Sequence, residues 1–399
     1  MENAKGTTTL LVAAACLLYA LSGGIRAIYG IIIGPLTQWT GIDYASASFA
    51  FGVAQLFYGL TQPVWGALAL RRGNRLVLLA GALCMAAGLG AMPFVHSVAG
   101  LTLVLGVLLA SGTGALCFGL LMGTISPILD REKASAVSGV LNASSGIGGA
   151  VLGPVFQGIT AAWNVQGSLL LLSGTLVGML PVIGWMTGAR KEETAAPETV
   201  EENREGVGTL FRSAFRTWTF KALMIGFSTC GFHMIIIQTH LVTQMESYGI
   251  SAATAALVYT GYGITSMVGS VLSGMLCLRF PLQRVLGGLY GARVVTVGLF
   301  MFLMPKTLLF LTVFALLLGL TGDATVTPTS EIISRKFGPA AMGFLFGITF
   351  VCHQVGAFVS SWLGGIFYTQ TGSYMSLWLA DALLCALAAG VSWSIKKGM

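Results

Sequence analysis

The stretch Leu21-Ser-Gly-Gly-Ile-Arg-Ala-Ile-Tyr-Gly30 decides how this chain is read. It lies inside an apolar run covering residues 8–34, in which Arg26 stands many residues from any other charge. A run of that length is long enough to cross a bilayer. A guanidinium stays charged inside a protein, and near a bilayer centre it costs about 2.5–3.5 kcal/mol on insertion scales. An ionisable residue in such a place is by default a candidate functional group. Gly23 and Gly24, just before it, remove bulk where a ligand or a second helix could approach.

Outward from this run, the whole chain has the same character. Of its 399 residues 55% are hydrophobic and only 9% charged, with a mean hydropathy of +0.84. A soluble domain carries about 25% charged residues, so the composition implies a multi-pass membrane protein. Apolar runs of span length fall near residues 8–34, 46–70, 76–95, 100–125, 134–158 and 167–187. After a polar stretch they resume near 220–243, 252–278, 285–304, 307–330, 340–366 and 373–394. The expected fold is an all-α membrane protein of twelve helices in two six-helix halves. The halves are placed at 1–187 and 220–399, with a linker at 188–219.

Basic residues test that count. With the N-terminus inside, 18 of the 21 Lys and Arg fall in inner segments and only Lys306 falls outside; Arg26 and Arg293 lie within spans. Such an asymmetry is the positive-inside pattern, and it places both termini in the cytoplasm. It also explains the net charge of +7 without nucleic acid, because the basic residues sit in short loops between apolar runs. The seven cysteines all lie in apolar runs without CxxC spacing, which predicts neither disulfides nor metal. The linker carries Arg190-Lys-Glu-Glu-Thr-Ala-Ala-Pro-Glu198 and Glu201-Glu-Asn-Arg-Glu205, a solvated tether by composition. At its end, Leu210, Phe211, Phe215 and Trp218 share one face of a short amphipathic helix suited to the inner leaflet.

The halves repeat. Gly66-Ala-Leu-Ala-Leu-Arg71 recurs as Gly274-Met-Leu-Cys-Leu-Arg279, and Thr113-Gly114 as Thr321-Gly322, both at an offset of 208 residues. Paired six-helix repeats place a substrate site near the midplane between them.

On these residues the chain resembles the major facilitator superfamily over essentially its whole length. Gly66-x-Leu-x-x-Arg-x-Gly-x-Arg75 is similar to that family's signature between spans two and three, with Leu70 where the family usually has Asp. Gly149-x-x-x-Gly153-Pro154-x-x-Gln157-Gly158 resembles the span-five motif of antiporters, and small residues at that spacing equally serve helix packing. Gly24-Ile-Arg-Ala-Ile-Tyr-Gly30 with Pro35, Asp323-Ala-Thr-Val-Thr-Pro328, and His353-Gln-Val-Gly-Ala-Phe358 followed by Trp362-Leu-Gly-Gly365 resemble bacterial monocarboxylate-transporter-like proteins. That resemblance implies uptake or exchange of small organic acids in the bacterial inner membrane, by a monomer. Characterised carriers of that kind are expected to use a basic residue in span eight. Here span eight has none inside the membrane, and Arg293 falls in span nine.

The resemblance also implies that spans one, four, seven and ten line the cavity. Arg26 would then offer a carboxylate its planar fork of donors. Asp323 in span ten, with its carboxyl pKa raised by burial, would exchange a proton, or would instead be the resting partner of Arg26. His233, Gln238, His353, Gln354, Tyr29 and Asn142 are the further expected substrate contacts, with His353 a second proton carrier because histidine titrates near neutral pH. His233 and His240, seven apart, are expected on nearly one helical face. Asp381 reads as a helix contact, and Arg293 as a side chain that snorkels or bonds nearby backbone. No Walker loop, GxSxG or HExxH is present, so neither enzyme nor cofactor is expected. The expected function is secondary active transport of a small organic anion, coupled to H⁺ or to exchange. An efflux pump for amphipathic or neutral compounds is the alternative, suggested by the span-five motif and by Phe51, Phe57, Phe227 and Phe232. A transporter-like membrane sensor is a remote one.

Overall fold

The computed structural model describes residues 2–125, 129, 131–188, 207–337 and 339–396. Most of the expected linker (189–206) and the side chain of Asn142 lie outside the described residues. Among the described residues the structure is helical and contains no strand. In hydrocarbon every backbone N–H and C=O needs an internal partner, and a helix supplies it within one segment.

The first span is Glu2–Ala27 continued by Tyr29–Thr40, and the second is Tyr44–Arg72. Spans three to six are Asn74–Phe94, Val98–Ile125, Arg131–Ala162 and Val165–Gly188. Spans seven to twelve are Trp218–Ser247, Ala252–Arg279, Leu282–Phe302, Leu308–Phe337, Pro339–Thr371 and Met375–Trp393. Ten of the described helices are long and apolar enough to cross a membrane; the second and fifth, at 29 and 32 residues, complete the twelve. Polar caps end the spans. Asp43 accepts from the Ser46 amide at 2.9 Å, Asn164 from that of Gly167 at 2.7 Å, and Ser251 from that of Thr254 at 3.3 Å. Gly73, at φ +83° between spans two and three, adopts a conformation that L side chains rarely take, which accounts for the glycine in the Gly66–Arg75 motif. Lys306, the basic residue assigned to the outer side, closes span nine by donating to the carbonyls of Phe300 and Met304, and its burial there lowers its pKa.

Glycines let the helices of each half touch. A Cβ on Gly148 would lie 1.9 Å from the Ala20 carbonyl oxygen, bringing span five onto span one. In the second half a Cβ on Gly231 would lie 1.8 Å from the His353 carbonyl oxygen, so spans seven and eleven repeat the device. Gly149 and Gly153 of the antiporter-like motif face Ala27 and Ile31 of span one, which is a packing role; Gly158 faces open space.

Between the halves, Gly30 meets the backbone of Gln238, Gly52 that of Phe358, and Gly59 the Gln354 side chain. Ser361 donates to the Ser48 carbonyl at 2.7 Å, and Thr260 to that of Ala150 at 3.1 Å. These contacts lie in the middle and outer parts of the spans. Midway along span ten Asp323 is exposed, although its neighbours Gly322 and Ala324 are buried. The amphipathic segment forms the helix Val207–Arg216, where Phe211 and Phe215 are exposed with ring centroids 5.6 Å apart.

Candidate substrate site

Arg26 sits in the last turn of the first helical segment, just before the chain changes pitch at Ile28. Gly23 and Gly24 before it are filled by Ser145 and by the Gly148 backbone of span five, so the arginine's other side is left to face the partner half. There Arg26 Nη1 donates to Gln238 Oε1 at 3.2 Å, across the boundary between the halves. Its Cζ lies 5.0 Å from the Tyr58 ring centroid, a cation–π distance. Tyr19, Tyr29 and Tyr259 are near enough to act on its charge. Among the described residues no carboxylate lies within 4.0 Å of Arg26. A half-buried guanidinium with one neutral side-chain acceptor keeps donors free for an anion.

The alternative in which Asp323 is the resting partner of Arg26 therefore does not describe this structure. Asp323 instead accepts from Ser266 Oγ at 2.7 Å and donates its backbone N–H to the same oxygen at 3.4 Å. It is also exposed, against the expectation of a buried carboxyl. Tyr259 lies within electrostatic reach of both Arg26 and Asp323.

The other expected contacts divide. Gln238 joins Arg26. Tyr29 is buried beside it, its ring edge-on to Phe51 at 5.0 Å. His353 is within reach of the Arg26 charge, stacked on Phe350 at 5.6 Å, with Nδ1 free of any partner among the described residues. Gln354 is buried in the contact between halves against Gly59. Asn142 cannot be placed, its side chain lying outside the described residues.

His233 is not part of this group. It is fully buried and donates from Nδ1 to Asp381 Oδ2 of span twelve at 2.8 Å. Nor does it share a face with His240. A π-helical stretch at Ile236–His240 adds backbone to each turn and rotates the remainder of span seven away from the α-helical phase. His240 consequently points to the other half, accepting from Tyr44 Oη at 2.9 Å and donating from Nε2 to the Ser361 carbonyl at 3.0 Å.

His233, Asp381 and Cys385 offer ligand atoms within 4.8 Å of one another, a company for His233 that sequence spacing did not show. Arg293, also fully buried, lies close enough to act on both His233 and Cys385. Its fixed positive charge beside His233 and Cys385 opposes a metal cation there. Of the phenylalanines that suggested a broad apolar cavity, Phe51, Phe227 and Phe232 are buried in packing.

Tyr19, Tyr259 and Ser266 escaped the sequence reading. One signal was present: the repeat offset of 208 carries Tyr58, which faces Arg26, onto Ser266, which faces Asp323.

The profile of the Major Facilitator Superfamily matches residues 15–244 and again 223–396. An uncharacterised MFS-type transporter, YcxA of Bacillus subtilis (strain 168), is 24% identical over 91% of this chain and 88% of its own. Monocarboxylate transporter 12 of Rattus norvegicus is 24% identical over 95% of this chain and 82% of its own. Among solved structures, the nucleoside transporter NupG superposes with a TM-score of 0.76 at 14% identity, covering 98% of this chain and 99% of that one. A bacterial homologue of the human lysosomal transporter Spinster, inward-facing and unoccupied, gives 0.76 at 14% identity over 97% and 96%. At these identities the solved structures establish the fold alone.

Proposed function

Because the chain belongs to the Major Facilitator Superfamily, we propose that it is a secondary carrier of a small monocarboxylate, working by alternating access in a bacterial inner membrane. The observation that carries this reading is Arg26: a permanent cation between the halves, held by Gln238 and Tyr58, with no acidic partner among the described residues. A carboxylate would complete its donor set, and the low-dielectric surroundings would strengthen the pairing. The relatives named as monocarboxylate transporters support the same substrate class.

In this reading the contacts between the halves at Gly30, Gly52 and Gly59 close the carrier at its outer end. Substrate bound at Arg26 would be released inwards past Asp323. Asp323, exposed on that route and hydrogen-bonded to Ser266, is the proton-coupling group in this reading. The working units are the halves 1–187 and 220–399, tethered by 188–219, and one chain suffices.

The test is uptake of labelled small acids and neutral compounds into proteoliposomes holding the purified protein. Acids are the expected substrates. Losing a charge-assisted bond costs about 1.5–3 kcal/mol, so Arg26→Ala should weaken apparent affinity by roughly ten-fold or more, and Arg26→Lys by less. Asp323→Asn should abolish accumulation driven by a pH gradient yet spare exchange. Unaltered acid uptake by a folded Arg26→Ala protein would remove Arg26 from this role.

A further inference from the structure

Arg293 stands apart from the substrate site. Buried completely in span nine, its charge must be met by acceptors within the protein. One nitrogen, Nη2, reaches the backbone of span ten at the point where that helix changes, while Nε and Nη1 lie buried without a partner among the described residues. The helix Leu308–Thr321 stops at Gly322, whose φ of −53° and ψ of −81° leave the α basin. A tight turn, Asp323–Thr325, comes next, before the helix resumes at Val326. A change of pitch frees carbonyls from their usual partners in the next turn. Arg293 Nη2 takes two of them, donating to Thr321 O at 2.6 Å and to Gly322 O at 2.7 Å. Ser273 of span eight donates to a third, Ala324 O, at 2.6 Å. Cys230 of span seven lies 3.1 Å from Thr325 Oγ1 and 3.6 Å from Arg293 Nη2. Arg293 is steadied in turn by the Tyr290 ring, 5.2 Å from its Cζ, and Tyr290 is tied to the Gly226 carbonyl.

We propose that Arg293 is a tethered cation that holds the break in span ten and thereby fixes the direction in which Asp323 presents its carboxylate. Arg293 is a positioning residue and touches no substrate. Interrupted membrane helices expose carbonyl ends near the midplane that attract cations; here the cation belongs to the chain and sits one residue from the exposed acid. The groups that face Asp323 itself are Ser266, Tyr259 and Tyr262, so Arg293 acts on it through the backbone. The proposal rests on the reading of Asp323 as the proton-coupling group, and its test separates the two.

Hydrogen–deuterium exchange of the purified full chain reads the break directly. In Arg293→Ala, amides of residues 318–327 should exchange at least about ten-fold faster, the effect of losing one to two hydrogen bonds to a charged group, with the other spans unchanged. Added guanidinium or methylguanidinium should restore protection, and Arg293→Lys should be intermediate. The second readout is the pH profile of acid uptake in proteoliposomes. Arg293→Ala should displace it, Asp323→Asn should flatten it, and the double variant should behave as Asp323→Asn alone. Unchanged exchange in folded Arg293→Ala overturns the clamp. Faster exchange with an unmoved pH profile overturns the positioning of Asp323. If wild-type protein carries no acid, the functional reading fails while the exchange data still judge the clamp. Should Arg293→Ala not fold, Arg293→Lys and Arg293→Gln carry the same two comparisons.

Discussion

A guanidinium keeps its charge wherever the chain places it, so the two arginines within spans had to find acceptors, and they found different ones. Arg26 met a neutral amide and an aromatic face and kept donors to spare. Arg293 met two carbonyls. His233 met a carboxylate, Asp381, in an equally buried place. Asp381→Asn keeps an oxygen for His233 to donate to but removes the charge of the acceptor. A hydrogen bond to a charged group contributes about 1.5–3 kcal/mol, so the thermal midpoint of the purified protein should fall. Combined with His233→Ala the loss should be less than the sum of the two single losses, as residues in contact require. Arg26 was legible in the sequence because an isolated charge in an apolar run stands out. The partner of His233 was not, because Asp381 lies 148 residues away and only the packing of span seven against span twelve joins them.

Among the elements, the spans derive from length and hydropathy, and their ends from caps and glycines. Asp43, at the start of span two, illustrates the local chemistry. Hydrogen bonds from the Ser46 side chain and amide hold its carboxyl below the usual value. A depressed folded pKa gives a contribution present above the unfolded value, near pH 4, and lost as pH falls through the folded one. Asp43→Ser would cap without a charge. The thermal midpoint of that variant should therefore vary less than wild type between about pH 5 and 3, while Asp43→Ala should lose about 1 kcal/mol at neutral pH. Irregular stretches are where sequence periodicity misled. The π-helical turns at Thr102–Leu109 and Ile236–His240 shift the phase of a span without any residue announcing it. Counting at 3.6 residues per turn put His233 and His240 on one face, and the extra backbone separated them.

For the molecule as a whole, a hydrogen-bond chain crosses the halves, and in the proposed carrier it would hold the outer end closed. Tyr374 donates to Tyr44 at 2.9 Å, Tyr44 to His240, His240 to the Ser361 carbonyl, and Ser361 to the Ser48 carbonyl. Each neutral bond contributes about 1 kcal/mol, which is roughly five-fold in an equilibrium. Tyr44→Phe should therefore raise outward opening about that much. An engineered Ser361→Cys in a background free of other cysteines should then react faster with an impermeant maleimide added from outside; equal rates would mean that the chain does not hold the closure.

By itself the sequence determined that the protein lies in a membrane, how many times it crosses, which side its loops face, and that Arg26 is an isolated charge within a span. Those properties are sums over residues: hydropathy, the asymmetry of Lys and Arg, and the cost of an isolated charge. Tertiary structure alone decided that Arg26 turns to Gln238 and not to Asp323, that His233 belongs with Asp381, and that Arg293 grips the break in span ten. Which acceptor a buried charge finds depends on how helices far apart in sequence are rotated and pressed together. That rotation is set by glycine contacts and by changes of pitch inside the spans, and no residue's own composition records it.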